Sequence, residues 1–476
     1  MNEGAERPRH GEQRRAPSLG LLMLSLSAWI RGQHWLQAIY RHRPQGLRNR
    51  ASSLLAARAS GRARFPRTPR WALQPSAHHG TLRAERSAGS GTGVNILGYI
   101  RGQFGLAESA RLYARALIEA GADVALYDID LDLPHGWDDH SLDGWIGTET
   151  PHPVSILFVN PDCLQPALAQ IGAARLQGRY LIACWFWELE AIPEEWIEAL
   201  EHVDEVMVAS QFVEDAFRRV TDKPVLRVPL PLSTLPDSGL ERADFGLEEE
   251  KFTFLVTFDF NSWIARKNPY AVLNAFREAF PAGRDDVRLL IKSSNGFRHP
   301  DRFRTLLKEV EADARVVVRD EVIDRAHVNA LQRCCDVYVS LHRSEGFGLG
   351  LAECMAMGKP VIATNWSGNL DFMDADCAAL VGYRMVAVQP GEYPHGEGQY
   401  WAEADIAEAA LWMRKLADDP QAARELGQRG RENVTQVLSR ERAAEHILAR
   451  LGQIELDRSR HAGKNDLEES ARRGTP

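Results

Sequence analysis

Lysine is missing from the first 92 residues of this 476-residue chain, where 16 Arg face only four Glu, at Glu3, Glu6, Glu12 and Glu85. That leader carries a net +12, and the −8 of the whole chain therefore leaves −20 on the rest. An acidic body is a poor general surface for nucleic acid, so no nucleic-acid partner is expected. Also missing is any run of ~18–20 uncharged apolar residues, which excludes a multi-span membrane protein. Cysteine is scarce: Cys163, Cys184, Cys334, Cys335, Cys354 and Cys377 are the whole set, and none forms a C-x-x-C pair. Thiols in apolar stretches act as small hydrophobes and suit a reduced, cytoplasmic chain. What remains is ordinary, at 44% hydrophobic and 26% charged residues, and its length allows two or three domains.

The leader, 1–92, reads as a basic segment expected to be disordered or to stem from a misplaced start. Its one apolar stretch, Leu19 to Ile30, continues to Tyr40 with Trp29, Trp35 and flanking Arg. As a helix it would suit an anionic membrane surface, so peripheral contact with the inner face of the cytoplasmic membrane is a competing reading. From Val94 the texture changes to apolar runs alternating with helical patterns, the signature of parallel sheets covered by helices. The alternation breaks over 233–250, rich in Pro, Ser, Asp and Glu, and then restarts. The expected organisation is α/β, with two Rossmann-like, doubly wound domains facing a central cleft, over 93–235 and 246–435. A helix over 436–456, with a return to the first domain as one reading of it, and a polar tail over 457–476 complete it.

The stretch Ser344 to Glu353 (SEGFGLGLAE) follows an apolar strand and opens a helix. Gly346, Gly348 and Gly350 let a backbone turn sharply and approach a ligand, and the amides of Phe347, Gly348 and Leu349 would offer an anion site. Glu345 and Glu353 are carboxylates suited to accepting from vicinal hydroxyls. Arg266 and Lys267 fall in a strand-to-helix loop, and Lys292 ends the next strand. Cations at that edge would offset a diphosphate, particularly as it departs. In the first half, GYIRGQFGLAESAR puts Gly102 and Gly105 in a strand-to-helix loop that is not G-x-G-x-x-G. A dinucleotide site is therefore weakly supported there, and phosphate or sugar contact is as open as a plain turn. Trp185, Phe186 and Trp187 are either core or a sugar platform. Glu188 sits at the end of that strand, as Asp162 does after the preceding one. Asp128-Ile129-Asp130 matches a metal-binding D-x-D by letters alone, so no metal is expected.

The run SEGFGLGLAECMAMGKPVIAT followed by SGNLDF resembles the donor-binding signature of GT-B glycosyltransferases, in the large retaining group often called family four. The first-half motifs resemble a bacterial polysaccharide-type branch, and the likeness covers roughly 94–455. The resemblance implies transfer of a hexosyl group, mannosyl foremost, from a nucleotide-diphosphate sugar such as GDP-mannose or a UDP-hexose. The acceptor would be a saccharide or lipid-linked saccharide in cell-surface polysaccharide assembly, with retention of configuration and no cofactor. It implies that Glu345 meets the donor sugar and Glu353 the ribose. Arg266 or Lys267, with Lys292, would hold the diphosphate, and Ser367, Gly368 and Asn369 would line the same pocket. Asn261 and Ser262 stand where many relatives carry an Arg, which leaves the choice between Arg266 and Lys267 open. Asp162, Trp187 and Glu188 are the acceptor-side candidates. A scaffold that kept the fold but lost activity is the alternative. On this reading Glu345→Ala abolishes transfer and leaves the fold intact.

Overall fold

Two stretches of strand–helix alternation form two separate sheets in the computed structural model, which describes Trp71, Leu73 and residues 93–473 apart from 134, 233 and 234. The first sheet contains β1 (Gly93–Gly98), β2 (Asp123–Asp128), β3 (Val154–Phe158), β4 (Tyr180–Cys184), β5 (Glu205–Val208) and β6 (Val225–Arg227). Its order is β2-β1-β3-β4-β5-β6. The second contains β7 (Phe252–Asp259), β8 (Val287–Ser294), β9 (Val316–Asp320), β10 (Val337–Ser340), β11 (Val361–Thr364) and β12 (Ala379–Val381). Its order is β12-β11-β10-β7-β8-β9. Every pairing in both sheets is parallel. Strands such as β3 (VSILF) are buried along their whole length because helices cover both faces, so they read as continuous apolar runs.

Each sheet reverses its order once, between β1 and β3 and between β7 and β10. At such a point the loops leaving neighbouring strands diverge and open a crevice beyond the carboxyl ends. The helices that bear on these crevices are α1 (Gly105–Glu119), α2 (Ile264–Lys267), α3 (Pro269–Ala279), α4 (Arg325–Cys334), α5 (Leu349–Ala356) and α6 (Arg440–Arg473). In α1 the residues Ala107, Ala110, Ala114 and Leu117 recur every three or four positions and are buried, as an amphipathic helix requires.

The structure departs from the sequence reading in four places. A hairpin of β13 (Tyr383–Ala387) and β14 (Tyr400–Ala404) interrupts the second domain after β12. Its Trp401 is fully buried and joins Val388 in the first domain's core beside Trp185, Trp187 and Trp196. The supposed linker is also anchored, since Phe245 and Leu247 are buried and Arg242 donates to the carbonyls of Cys334, Glu248 and Lys251. The leader is not wholly separate, because Trp71 is buried against Phe245 and its indole N–H donates to the Phe245 carbonyl at 2.8 Å. Its backbone N–H donates to Glu321 Oε1 at 3.2 Å, and the Arg319 guanidinium lies 5.8 Å from its ring. The leader's remaining expectations, including Trp29 and Trp35, lie outside the described residues. Finally, the expected tail continues α6 as far as Arg473, a stretch rich in Glu, Arg, Lys and Ala, which favour helix. No helix among the described residues is long and apolar enough to cross a membrane.

Helix α6 packs on α1, so the C-terminal segment returns to the first domain. Its Arg450 donates to both oxygens of Glu205, at 3.0 and 2.7 Å, and Glu205 is fully buried. Tyr180 also donates to Glu205, at 3.0 Å. Arg450→Ala strands that carboxylate. The expected cost is about 2 kcal/mol, below the range for fully buried pairs because the arginine is partly solvated. Urea denaturation checks it, and an unchanged midpoint would show that α6 is held by its apolar face alone.

Candidate functional site

The sequence around the second sheet's reversal builds an unusual corner. Asp259, at the end of β7, accepts the Asn261 N–H at 2.8 Å and turns the chain. Trp263 follows at φ 63°, ψ 99°, an outlying conformation for a bulky residue and a mark of local strain. One turn later Asn268 is left-handed at φ 49° and caps α3 through its side chain. The single turn between these two residues is α2, which carries Arg266 and Lys267. Across the reversal, the loop after β10 carries Glu345.

These three side chains meet. Arg266 Nη1 lies 2.9 Å from Glu345 Oε2, and Lys267 Nζ lies 2.5 Å from Oε1. Arg266 also donates to the Ser344 carbonyl at 2.9 Å, and Arg343 N–H donates to the Arg266 carbonyl at 2.8 Å. Arg266 is 5% and Glu345 8% exposed, so both are largely withdrawn from water. Burial raises the Glu345 pKa, but Lys267, Arg266 and His342 outweigh it and hold the carboxyl well below its ordinary range. For Arg266 burial works against the cation, and Glu188 and Glu345 more than reverse it. For Lys267 burial prevails over Glu345, and its pKa falls.

The glycine loop is shaped by protein contacts. A Cβ on Gly346 would sit 2.8 Å from the Trp187 carbonyl oxygen, and one on Gly368 would sit 2.3 Å from that of Gly346. The Gly346 carbonyl accepts from Ser210 of the first domain at 2.6 Å. Close approach is therefore needed, but the approaching partner is the other domain's backbone. Gly348 turns into α5 at φ 97°. Phe347 faces inward and packs on Phe372 at 5.0 Å, and Leu349 packs against the same core. Ser367 accepts the Glu345 N–H at 2.8 Å, Gly368 N–H donates to the Glu345 carbonyl at 2.9 Å, and buried Asn369 bonds His342 at 3.1 Å. In this structure Ser367 and Asn369 brace the loop with their side chains and Gly368 does so with its backbone, instead of lining an open pocket.

Lys292 lies two residues before the end of β8, beside β7, and is buried, with Ser294 Oγ accepting from it at 2.8 Å. Burial lowers its pKa from 10.5 despite the nearby carboxylates of Asp259, Asp320 and Glu321. Glu353, on α5, is buried and paired with Arg325 at the start of α4. Arg325 also feels Glu108, on the first domain's α1, whose pKa is brought down to about 2 as Arg111, Arg325 and Arg115 overcome its burial. The reading from sequence missed Arg325. Its signal was faint, an arginine five residues past the end of β9.

On the first domain, the loop after β1 is pinned, not loose: Arg111 donates to the carbonyls of Ile100 and Gly102 at 2.8 and 2.7 Å, while Gly105 opens α1. Trp187 is 3% exposed and its indole donates to the Ala191 carbonyl, so it is core and not an open platform. Trp185 is likewise core. Asp162 accepts from the Trp196 indole at 3.0 Å. Glu188 alone of the acceptor-side candidates reaches the charged corner, with Oε1 3.5 Å from Arg266 Nη2. Asp128 is engaged by Arg101. Among the described residues no group of three or more His, Cys, Asp or Glu is placed to hold a metal.

The family model for glycosyl transferases of group 1 matches residues 256–388, from β7 to just past β13. Trehalose synthase of Rubrobacter xylanophilus is 26% identical over 203 residues, 42% of each chain. The match therefore spans less than half the length of that curated relative. Among solved structures, sucrose-phosphate synthase from Thermosynechococcus elongatus aligns with a TM-score of 0.54 at 18% identity, over 78% of this chain and 100% of the other. Anabaena HepE in complex with UDP and glucose aligns at 0.54 and 15%, over 76% and 100%. The architecture is thus the GT-B fold, and the match to the group 1 glycosyl transferase model is confined to the second domain.

Glu345 pairs with the buried Arg266 and the half-buried Lys267, so its loss is expected to lower stability. Glu345→Gln is expected to cost about 2–3 kcal/mol. The carboxylate's pKa is depressed on folding, so its contribution is full above the ordinary 4.5 and fades as pH falls through the folded value. The gap between wild type and variant should therefore narrow below pH 4.5 in urea titrations. A gap that widens in acid would show that Glu345 is not held as an anion.

Proposed function

We propose that the protein is a retaining glycosyltransferase that moves a hexosyl group from a nucleotide-diphosphate sugar to a saccharide or lipid-linked saccharide. The observation that carries this reading is the meeting of Arg266, Lys267 and Glu345 at the reversal of the second sheet, facing the first domain. A group 1 match over the same residues supports it. GDP-mannose and the UDP-hexoses are the donors that the reading names, with mannosyl transfer in cell-surface polysaccharide assembly as its specific form. Six free cysteines suit a reducing compartment, in keeping with a cytoplasmic enzyme.

The chemistry follows from the charges. On donor entry Glu345 exchanges its cation partners for sugar hydroxyls, and Glu353 exchanges Arg325 for the ribose. Arg266 and Lys267, released from Glu345, and Lys292 then face the diphosphate. As the bond from the anomeric carbon to the phosphate oxygen breaks, negative charge grows on that oxygen, and preorganised cations stabilise it most at that moment. The acceptor oxygen bonds to the same face, and its proton passes to the departing phosphate oxygen. No separate protein base is needed for that path.

Calorimetric and thermal titration of the full chain with UDP, GDP, UDP-glucose and GDP-mannose tests the reading. A ligand at 100 times its Kd adds about 2.7 kcal/mol of stability. Lys292→Ala should weaken that binding by about 1–3 kcal/mol, the value of a charge-assisted hydrogen bond. Because burial lowers the Lys292 pKa, affinity should fall on the alkaline side before the ordinary 10.5 is reached. Lys292→Arg, whose charge does not titrate in that range, should remove the Lys292 part of this limb and leave that of Lys267, whose pKa is also lowered by burial. No response to any of the four compounds from folded protein would favour the scaffold reading.

A further inference from the structure

The hairpin of β13 and β14 lies largely beyond the residues that the group 1 family model matches, which end at 388. It leaves the second domain and embeds Trp401 in the core of the first. Its connecting loop meets every acceptor-side candidate. Tyr393 donates to Glu188 Oε2 and packs on Trp187 at 5.7 Å. His395 lies 3.9 Å from Asp162 and 3.5 Å from Glu195. Gln399 Oε1 accepts the Ala191 N–H at 3.0 Å.

Tyr393 also touches the charged corner. The Arg266 guanidinium sits 5.9 Å from the centre of its ring, and the Trp263 ring packs edge-on against the same ring at 6.2 Å. A continuous chain of contacts therefore runs Tyr393–Glu188–Arg266–Glu345, crossing from the hairpin to the first domain and back to the second. Its four charged groups, Arg266, Lys267, Glu188 and Glu345, sum to zero, so the corner is neutral without a donor. A diphosphate adds negative charge to it. Glu345 has sugar hydroxyls to move to, but Glu188 has no such exchange and keeps competing for Arg266. The phenol hydrogen bond satisfies one Glu188 oxygen and so limits that competition.

We propose that Tyr393 is a positioning residue that sets the availability of Arg266 for the donor's diphosphate, acting through Glu188. The proposal rests on the reading of Arg266 as a diphosphate ligand. It makes Glu188 an antagonist of donor binding and Tyr393 its restraint. The hairpin thereby couples the packing of the first domain's acceptor side to the charge presented to the donor.

The test is calorimetric binding of UDP and GDP to the full chain and four variants. Glu188→Gln removes the competing charge while keeping shape, and should tighten nucleoside diphosphate binding about tenfold. Tyr393→Phe keeps the ring but frees the Glu188 oxygen to bear on Arg266, and should weaken binding about threefold or more. In the double variant the Tyr393→Phe effect should vanish, because the residue acts through a charge no longer present. A Tyr393 with only a packing role would weaken binding equally in both backgrounds, and that additivity overturns the proposal. So does a Glu188→Gln protein that binds no more tightly than wild type. Arg266→Gln separates the two layers: if wild type binds but this variant binds as well, the placement of the diphosphate on Arg266 fails and the proposal falls with it.

Discussion

One buried carboxylate holds the centre of this molecule together. Glu345 sits between a guanidinium and an ammonium and is largely withdrawn from water, so each of the three charges is balanced by its neighbours. The chain spends considerable structure on fixing that position. Trp263 is strained to aim α2, Asn268 takes a left-handed conformation to end it, and Ser367 and Gly368 grip the backbone of Glu345 from the far side. Each of these residues is understandable once the charge triad is taken as the constraint.

The second constraint is contact between the domains. Gly346 has no side chain because the backbone of Trp187 occupies that space, and Ser210 closes the same contact with a hydrogen bond. Arg325 pairs with Glu353 on one domain and feels the charge of Glu108 on the other, so the buried Glu353 carboxylate is coupled to α1. These contacts tie the loops of the two sheets together across the crevice.

Much of this was legible in the sequence. Alternating strand and helix patterns located both sheets, because parallel strands buried on two faces are plain apolar runs. Glu345 stood out through the glycine-rich loop that opens a helix, and Arg266, Lys267 and Lys292 through their places at the carboxyl side of the second sheet. What was hidden depended on pairing across distance. The hairpin escaped notice because β13 (YRMVA) and β14 (YWAEA) are short and their partners lie across a Pro- and Gly-rich loop. Trp187 and Asn369 were offered as ligand contacts because a polar or aromatic residue near a site looks the same whether it faces a ligand or fills a core. Trp71 was lost in a leader whose composition argues against order, since one tryptophan hardly alters a segmental average.

Trp71 also carries a message about timing. Its two hydrogen-bond partners, Phe245 and Glu321, lie 174 and 250 positions further along the chain. At ribosomal speeds of about 5–20 residues per second, the first of them emerges roughly 10–35 s after the tryptophan. Throughout that interval the first sheet is free to assemble, with its own strands local in sequence, while the indole has nothing to bind. Trp71 is thus fastened only once the segment that leads into the second domain has been made, so this contact closes late relative to the strands of the first sheet.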